Sequence, residues 1–251
     1  MKIIVLLLSI SFCALAKFDL SLGTSFRSYP SIGAEINAES GYNLLLWGKV
    51  NKKKPFYGFI RPAVTLSSSV VINSYDARIE FNPISFISIV RGYRHVASKF
   101  NEFSFYNCEQ VRCTGDLKKD YTKLKFAMGA ARILTMVELA MYNNEYTGGT
   151  DEKVAEFRFA TLADSQNDSM YHARYVLGFK HNTGLYGVMA DYTLLNGSGD
   201  TYNMDLLIYT TKVDRSLYTF GIGQFYTSQV EKGVIAVFQM KTKFIEGFSL
   251  F

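Results

Sequence analysis

His172, Arg174 and Asp191 are the residues of this 251-residue chain whose types and spacing come nearest to acid–base chemistry. His172 is the one histidine of three on a regular segment, and Asp191 comes within its reach if two neighbouring segments fold back on each other. A His–Asp pair can hold and pass a proton, but hydrolysis also needs a nucleophile or an activated water. Spacing places no Ser or Thr for that task, and none of His95, His172 and His181 begins a His-x-Ser. His172 therefore reads as a hydrogen-bonding residue, and no catalytic residue is assigned. Cys108 and Cys113 enclose only Glu-Gln-Val-Arg, with no further Cys or His at metal-ligand spacing. A disulfide is the simplest reading, and no metal or cofactor is expected. Gly221 and Gly223 lie inside a strand-like stretch, where Gly-x-Gly suits close packing better than phosphate binding.

The segments carrying His172 and Asp191 alternate strictly. Tyr171, Ala173, Tyr175, Leu177 and Phe179 fall on one face of an extended strand, with His172, Arg174, Gly178 and Lys180 on the other. After His181–Gly184 the pattern resumes, with Tyr186, Val188, Ala190, Tyr192 and Leu194 opposed to Gly187, Asp191 and Thr193. Each limb is about ten residues, the length of a tilted membrane-crossing strand. The apolar face is aromatic at its ends and aliphatic between, the order of a lipid-facing strand with interfacial girdles. Leu177 should then face lipid, and Gly178 should face inward with room for a serine.

The rest of the chain follows the same rule. Met1–Ala16 has one Lys, an apolar run and Ala14-Leu15-Ala16, which reads as a secretory signal peptide cleaved before Lys17. Removing it leaves one domain, residues 17–251, of net charge +4. That excess is too small to argue for nucleic acid, and no later run of 18 apolar residues forms a membrane helix. Further strands are expected at Phe18–Phe26, Gly41–Val50, Phe56–Leu66, Ile72–Phe81, Ile84–Arg94, Tyr121–Ala130, Met204–Thr211, Leu217–Thr227 and Val234–Phe244. Arg27–Ser40 and His95–Asp120 read as loops, Pro62 implies a bulge, and Asn82-Pro83 a tight turn. Ala131–Tyr142 is rich in helix formers, but Thr135, Val137, Leu139 and Met141 alternate, and we read a strand.

All candidates together give 13 strands, whereas a single-chain bacterial barrel has an even number. Placing Val154–Leu162 in an outer loop leaves 12, with 14 as the alternative. The short connections then share one end and the long ones the other. The fold expected is an all-β, transmembrane, antiparallel up-and-down barrel.

The C-terminal segment VIAVFQMKTKF, with Phe238, Met240 and Phe244 in phase, and the final Phe251 resemble the terminal strand of Gram-negative outer-membrane β-barrel proteins. The resemblance is to the porin-like class only. It implies a bacterial outer-membrane location, and an assembly signal read by barrel-assembly machinery at Phe238, Met240, Phe244 and Phe251.

Assigning each strand's polar face to the lumen gives Asp76, Arg78, Glu80, Arg91, Lys123, Lys125, Glu138, His172, Arg174, Lys180, Asp191, Asp205, Gln239, Lys241 and Lys243. Basic residues outnumber acidic ones there, so an open lumen would weakly favour anions. The expected function is a monomeric, porin-like narrow channel for small solutes, surrounded by outer-membrane lipid. A closed-lumen structural or surface-interaction barrel is the alternative, and an outer-membrane hydrolase the third. The Cys108–Cys113 loop, with Phe103, Phe105 and Tyr106 beside it, would narrow the mouth, face a partner, or be a simple staple.

Overall fold

The computed structural model describes residues 16–50, 56–69, 71–98, 106–109, 111–146, 153–156, 158–164 and 167–248. Residues 1–15, which hold all but Ala16 of the stretch read as a signal peptide, and Phe103, Phe105 and Phe251 lie outside the described residues. Fourteen strands form among them: β1 (Ala16–Arg27), β2 (Gly33–Gly48), β3 (Tyr57–Ser68), β4 (Ile72–Ile84), β5 (Ile87–Ser98), β6 (Gly115–Ala130), β7 (Ile133–Tyr146), β8 (Val154–Glu156), β9 (Thr161–Ala163), β10 (Asn167–His181), β11 (Gly184–Leu195), β12 (Thr201–Val213), β13 (Ser216–Thr227) and β14 (Gly233–Ile245). Twelve close an antiparallel barrel, while β8 and β9 form a separate two-stranded sheet. The barrel is sealed where β1 meets β14, from Leu20 opposite Ile245 to Arg27 opposite Val237. The connections at residues 85–86, 131–132, 182–183 and 214–215 share the short-turn end with both ends of the barrel chain. The described residues 106–109, 111–114, 153–156 and 158–164 belong to the opposite, long-loop end.

The outer face is apolar between two aromatic levels. Phe26, Tyr171, Tyr192 and Tyr226 mark the level toward the long loops, and Phe18, Phe179, Tyr186 and Phe220 the other. Leu22, Leu177, Val188 and Ile222 lie between, all exposed. So much exposed apolar surface would drive association in water and is satisfied by hydrocarbon. This is a transmembrane barrel.

Several boundaries differ from the sequence reading. Gly33–Ser40 continues β2 rather than looping, because Ile36 and Ala38 keep the alternation. Asn82-Pro83 is an irregularity inside β4, and the turn follows at Ser85-Phe86. No bulge forms at Pro62, whose outward edge leaves the β4 register unbroken, and the β2–β3 irregularity falls instead between Leu45 and Trp47. Ala131–Tyr142 contributes to β7 as a strand.

Candidate functional site

The lumen has two unlike sides. On β12 the inward residues are Tyr202, Met204, Leu206 and Ile208, packed with Phe225 and Ile235 of β13 and β14 into an apolar core. The inward faces of β1 to β7 carry most of the charges of the lumen, among them Asp19, Glu39, Arg61, Asp76, Arg78 and Lys123. The reason for the division is a loop: residues 153–156 and 158–164 enter the long-loop mouth and lie against the apolar side.

This inserted hairpin, β8–β9, is tied down at several points. Glu156 accepts from Lys119 of β6, with both side chains 3 % exposed. Its other oxygen accepts from the Phe159 amide at 2.8 Å. The Phe159 ring wedges between His172 and Tyr202, 5.3 and 5.0 Å between centroids. Arg27 of β1 reaches over to the Arg158 carbonyl at 3.4 Å. The hairpin thus bridges from β6 toward β1.

The cysteine segment braces it from outside. Cys108 and Cys113 are bonded, with Cα atoms 5.5 Å apart. Arg112 joins the hairpin edge through Arg112 N to Lys153 O and Ala155 N to Arg112 O, both 3.0 Å. Tyr106, Cys113, Ala155 and Leu162 form a small apolar cluster beneath, and Tyr106 donates to the Thr161 carbonyl at 2.7 Å. Burial pushes the Tyr106 phenol well above its ordinary range, and Glu156 nearby adds to the effect.

What the hairpin leaves free is a cavity of about 950 Å³. It is bounded by β1 to β6, by Arg158 and Phe159, and by Tyr202, Gln239 and Lys241. Its rim includes the loop residues Ser31, Ile32 and Thr114, so it opens at the long-loop end. Among the described lining residues, ten arginines and lysines face six carboxylates.

Two ion-pair clusters stand on the charged side. Arg61 is the hub of the first, reaching Asp19, Glu39 and Glu80 at 2.6, 2.7 and 2.9 Å. Arg78 joins Glu39, Glu80 and Asp76 at 3.0, 2.7 and 3.1 Å. Arg94 and the Tyr121 hydroxyl both reach Asp76, and Lys241 reaches Glu39 at 3.3 Å. In the second cluster Glu138 stands 3.5 and 3.6 Å from Lys123 and Lys125, and Asp191 is 2.5 Å from Arg174. Each of these buried carboxylates has a basic partner close by, which offsets the cost of burying its charge.

The structure places Asp76, Arg78, Glu80, Lys123, Lys125, Glu138, His172, Arg174, Asp191, Gln239 and Lys241 inward, most of them in the two clusters. Lys180 and Lys243 are inward nearer the short-turn rim. Two assignments are corrected. Arg91 is on the outer face, level with Ile79 and Thr122, and pairs there with Asp120 at 2.8 Å. The inward positions beside it are Val90, Gly92 and Arg94, and a side chain at Gly92 would strike the Tyr121 ring. Asp205 also faces outward, between Ala190 and Gln224. The polar-inside rule fails on β12 because the hairpin fills that side with apolar packing. Asp19, Glu39, Arg61, Arg94 and Arg158 join the lumen set: Asp19 is a single charge among Ser and Gly on the polar face of β1, and Glu39 and Arg158 belong to stretches whose sequence reads as loop. A search for single charges on otherwise apolar strands would have found Arg61.

His172 is brought to Asp191 and also to Thr193, whose hydroxyl is 3.0 Å from Nδ1. His172 Nε2 is 3.2 Å from Asp191 Oδ1, but the geometry is not that of a hydrogen bond, and that oxygen has no other partner among the described residues. Thr193 has no exposed surface and Phe159 covers the imidazole. Thr193 and the imidazole are thus enclosed behind Phe159, while Asp191 borders the cavity beside Arg174.

No protein-family model and no curated protein matches the chain. Among solved structures, the KdgM porin is similar at 8 % identity, with 90 % of this chain and 99 % of that one covered and a TM-score of 0.43. An outer-membrane channel of Pseudomonas putida F1 is similar at 9 % identity, covering 91 % and 95 %, with a TM-score of 0.48. The transport unit of the Escherichia coli autotransporter AIDA-I gives 8 % identity, 91 % and 90 % coverage, and a TM-score of 0.39. At these values the likeness is one of general barrel architecture.

Proposed function

We propose that the protein is a narrow channel of the Gram-negative outer membrane, passing small solutes with a preference for anions. The observation that carries this reading is the cavity of about 950 Å³ inside the lumen, open at the long-loop end and lined by more cations than carboxylates. Its volume lies near the top of the ~300–1,000 Å³ range of small-ligand pockets, and a net positive lining favours anions. Short turns would then be periplasmic and long loops extracellular. The signal-like N-terminus fits export, and Phe238, Met240 and Phe244 on the outer face of β14 fit recognition by assembly machinery. A monomer suffices for this activity, and no catalytic step is part of it.

A second reading, a closed-lumen barrel with a structural role, is favoured by the Arg61 cluster and by Phe248, which packs on Tyr57 and Phe59 near the short-turn end. One experiment decides between them: single-channel recording of the purified protein in planar bilayers, with reversal potentials under a salt gradient. Discrete anion-favouring steps are expected. Silence in repeated incorporations gives the closed-lumen reading.

A further inference from the structure

Most cations on the cavity walls are held by carboxylates, as Arg78 is by Glu39, Arg94 by Asp76 and Arg174 by Asp191, and the Arg27 guanidinium is taken up by the Arg158 carbonyl. A paired charge exerts little field a few ångströms away, because its partner cancels it. Arg158 is different. It lies deep within the barrel, yet its side chain is exposed, because what surrounds it is the open cavity. Among the described residues no carboxylate is within ion-pair distance of its guanidinium, and the contact it makes is with the adjacent Phe159 ring at 5.5 Å.

The backbone under this side chain is fixed. Arg27 holds the Arg158 carbonyl, Lys119 holds Glu156, and Phe159 is wedged against His172 and Tyr202. A solute entering from the long-loop end must pass between this hairpin and the β1–β6 wall. We propose that Arg158 is the selectivity-determining residue of the lumen, a cation paired with no described carboxylate that a permeating anion meets at the hairpin tip. This rests on the channel reading above. A guanidinium pairs in two-point fashion with planar or tetrahedral oxyanions, so carboxylates and phosphates of small solutes are the ligand class.

The test is the chloride-to-potassium permeability ratio in planar bilayers for the wild type, Arg158→Lys, Arg158→Ala and Arg158→Glu. Lys232→Glu, on an exposed loop outside the cavity, is the control. A unit charge felt through water at ~5–6 Å changes local ion concentration about threefold. The ratio should exceed one in the wild type and the lysine variant, fall about tenfold in Arg158→Ala, as chloride falls and potassium rises about threefold each, and about a hundredfold in Arg158→Glu, with Lys232→Glu unchanged. Inorganic phosphate should block the wild-type current and leave that of Arg158→Ala unblocked. If Arg158→Glu does not assemble, the alanine and lysine variants carry the comparison. A conducting wild type whose ratio survives Arg158→Ala overturns the inference alone. A wild type that never conducts overturns the channel reading and this inference with it.

Discussion

The Lys119 ammonium donates to the Glu156 carboxylate across the boundary between barrel wall and inserted hairpin, with both side chains almost fully buried. This pair joins a strand of the wall to a segment that makes no ladder with it. The hairpin's place in the lumen therefore depends on side chains, whereas the wall depends on backbone hydrogen bonds.

Removing one partner of a buried pair costs about 3–5 kcal/mol, and here the cost falls on the hairpin's attachment. Glu156→Gln should assemble as a folded barrel, judged by heat-modifiable migration, and conduct with larger and noisier steps. The pH response has a definite sign. Burial alone would raise the Glu156 carboxyl, but Lys119 and the Phe159 amide outweigh it and hold the group below its ordinary 4.5. A depressed folded value means the attachment is at full strength above the ordinary value and is lost as pH falls through the lower one. Noise should be flat from about pH 8 to 5 and rise under stronger acid. Glu156→Gln should be noisy throughout, and a quiet trace from it at neutral pH would mean that this ion pair does not hold the hairpin in place.

Cys108 and Cys113 brace the hairpin from its outer edge rather than narrowing the mouth themselves. Cys108→Ser with Cys113→Ser should leave the barrel assembled, since none of its ladders includes either residue. The closed ring is small, so the entropy model gives only ~2 kcal/mol. Hydrogen exchange locates the effect: the Ala155 amide, bonded to the Arg112 carbonyl, should exchange faster in the double mutant. Barrel-wall amides should not change. Titratable thiols in the protein purified without reductant would remove the premise.

The two faces of the wall give a third prediction. Leu177→Arg puts a charge between the aromatic levels, at roughly 2–4 kcal/mol near the midplane, and should lower the yield of folded protein in detergent. Ser67→Lys, facing the open cavity, should fold normally. Gly178 is not a neutral inward control, because a Cβ there would stand 2.9 Å from the Leu185 side chain. Equal folding of Leu177→Arg and Ser67→Lys would sink the assignment of faces.

The wall was legible because lipid and lumen impose a period of two on nearly every strand. The hairpin Met170–Leu195 could be read in register, and Val154–Leu162 could be set apart by counting alone. The lumen was less legible. Periodicity tells which residues share a face, but not which face holds the polar ones, and Asp205 is outward because Met204 and Leu206 are needed against the hairpin. Nor could spacing find Arg158, which belongs to a stretch without periodicity. Arg61, one charge in an apolar strand, joins Asp19, Glu39 and Glu80 from three different strands, a relation set by barrel closure.

The short-turn mouth provides the last prediction. After β14 the chain turns inward, with Gly247 against Asp19 and Asn43. The Phe248 ring then meets Phe59 and Tyr57 edge-on, at 5.7 and 6.3 Å. Tyr57 and Phe59 are both buried on the inner face of β3, just below Arg61. Two obstacles therefore stand in series at this end, and they differ in what moving them costs. Displacing Arg61 would leave three carboxylates without their shared cation, a penalty of several kcal/mol. Displacing Phe248 loses aromatic contact worth about 0.5–1.5 kcal/mol per pair beyond its burial, and strands no charge. The tail is the weaker obstacle. Phe248→Ala should raise single-channel conductance in planar bilayers while the anion preference stays as in the wild type, because no charge has changed. Phe248→Trp should keep the wild-type conductance. A conductance in Phe248→Ala equal to that of the wild type would mean that the tail does not limit the current, leaving the Arg61 cluster as the narrowest point.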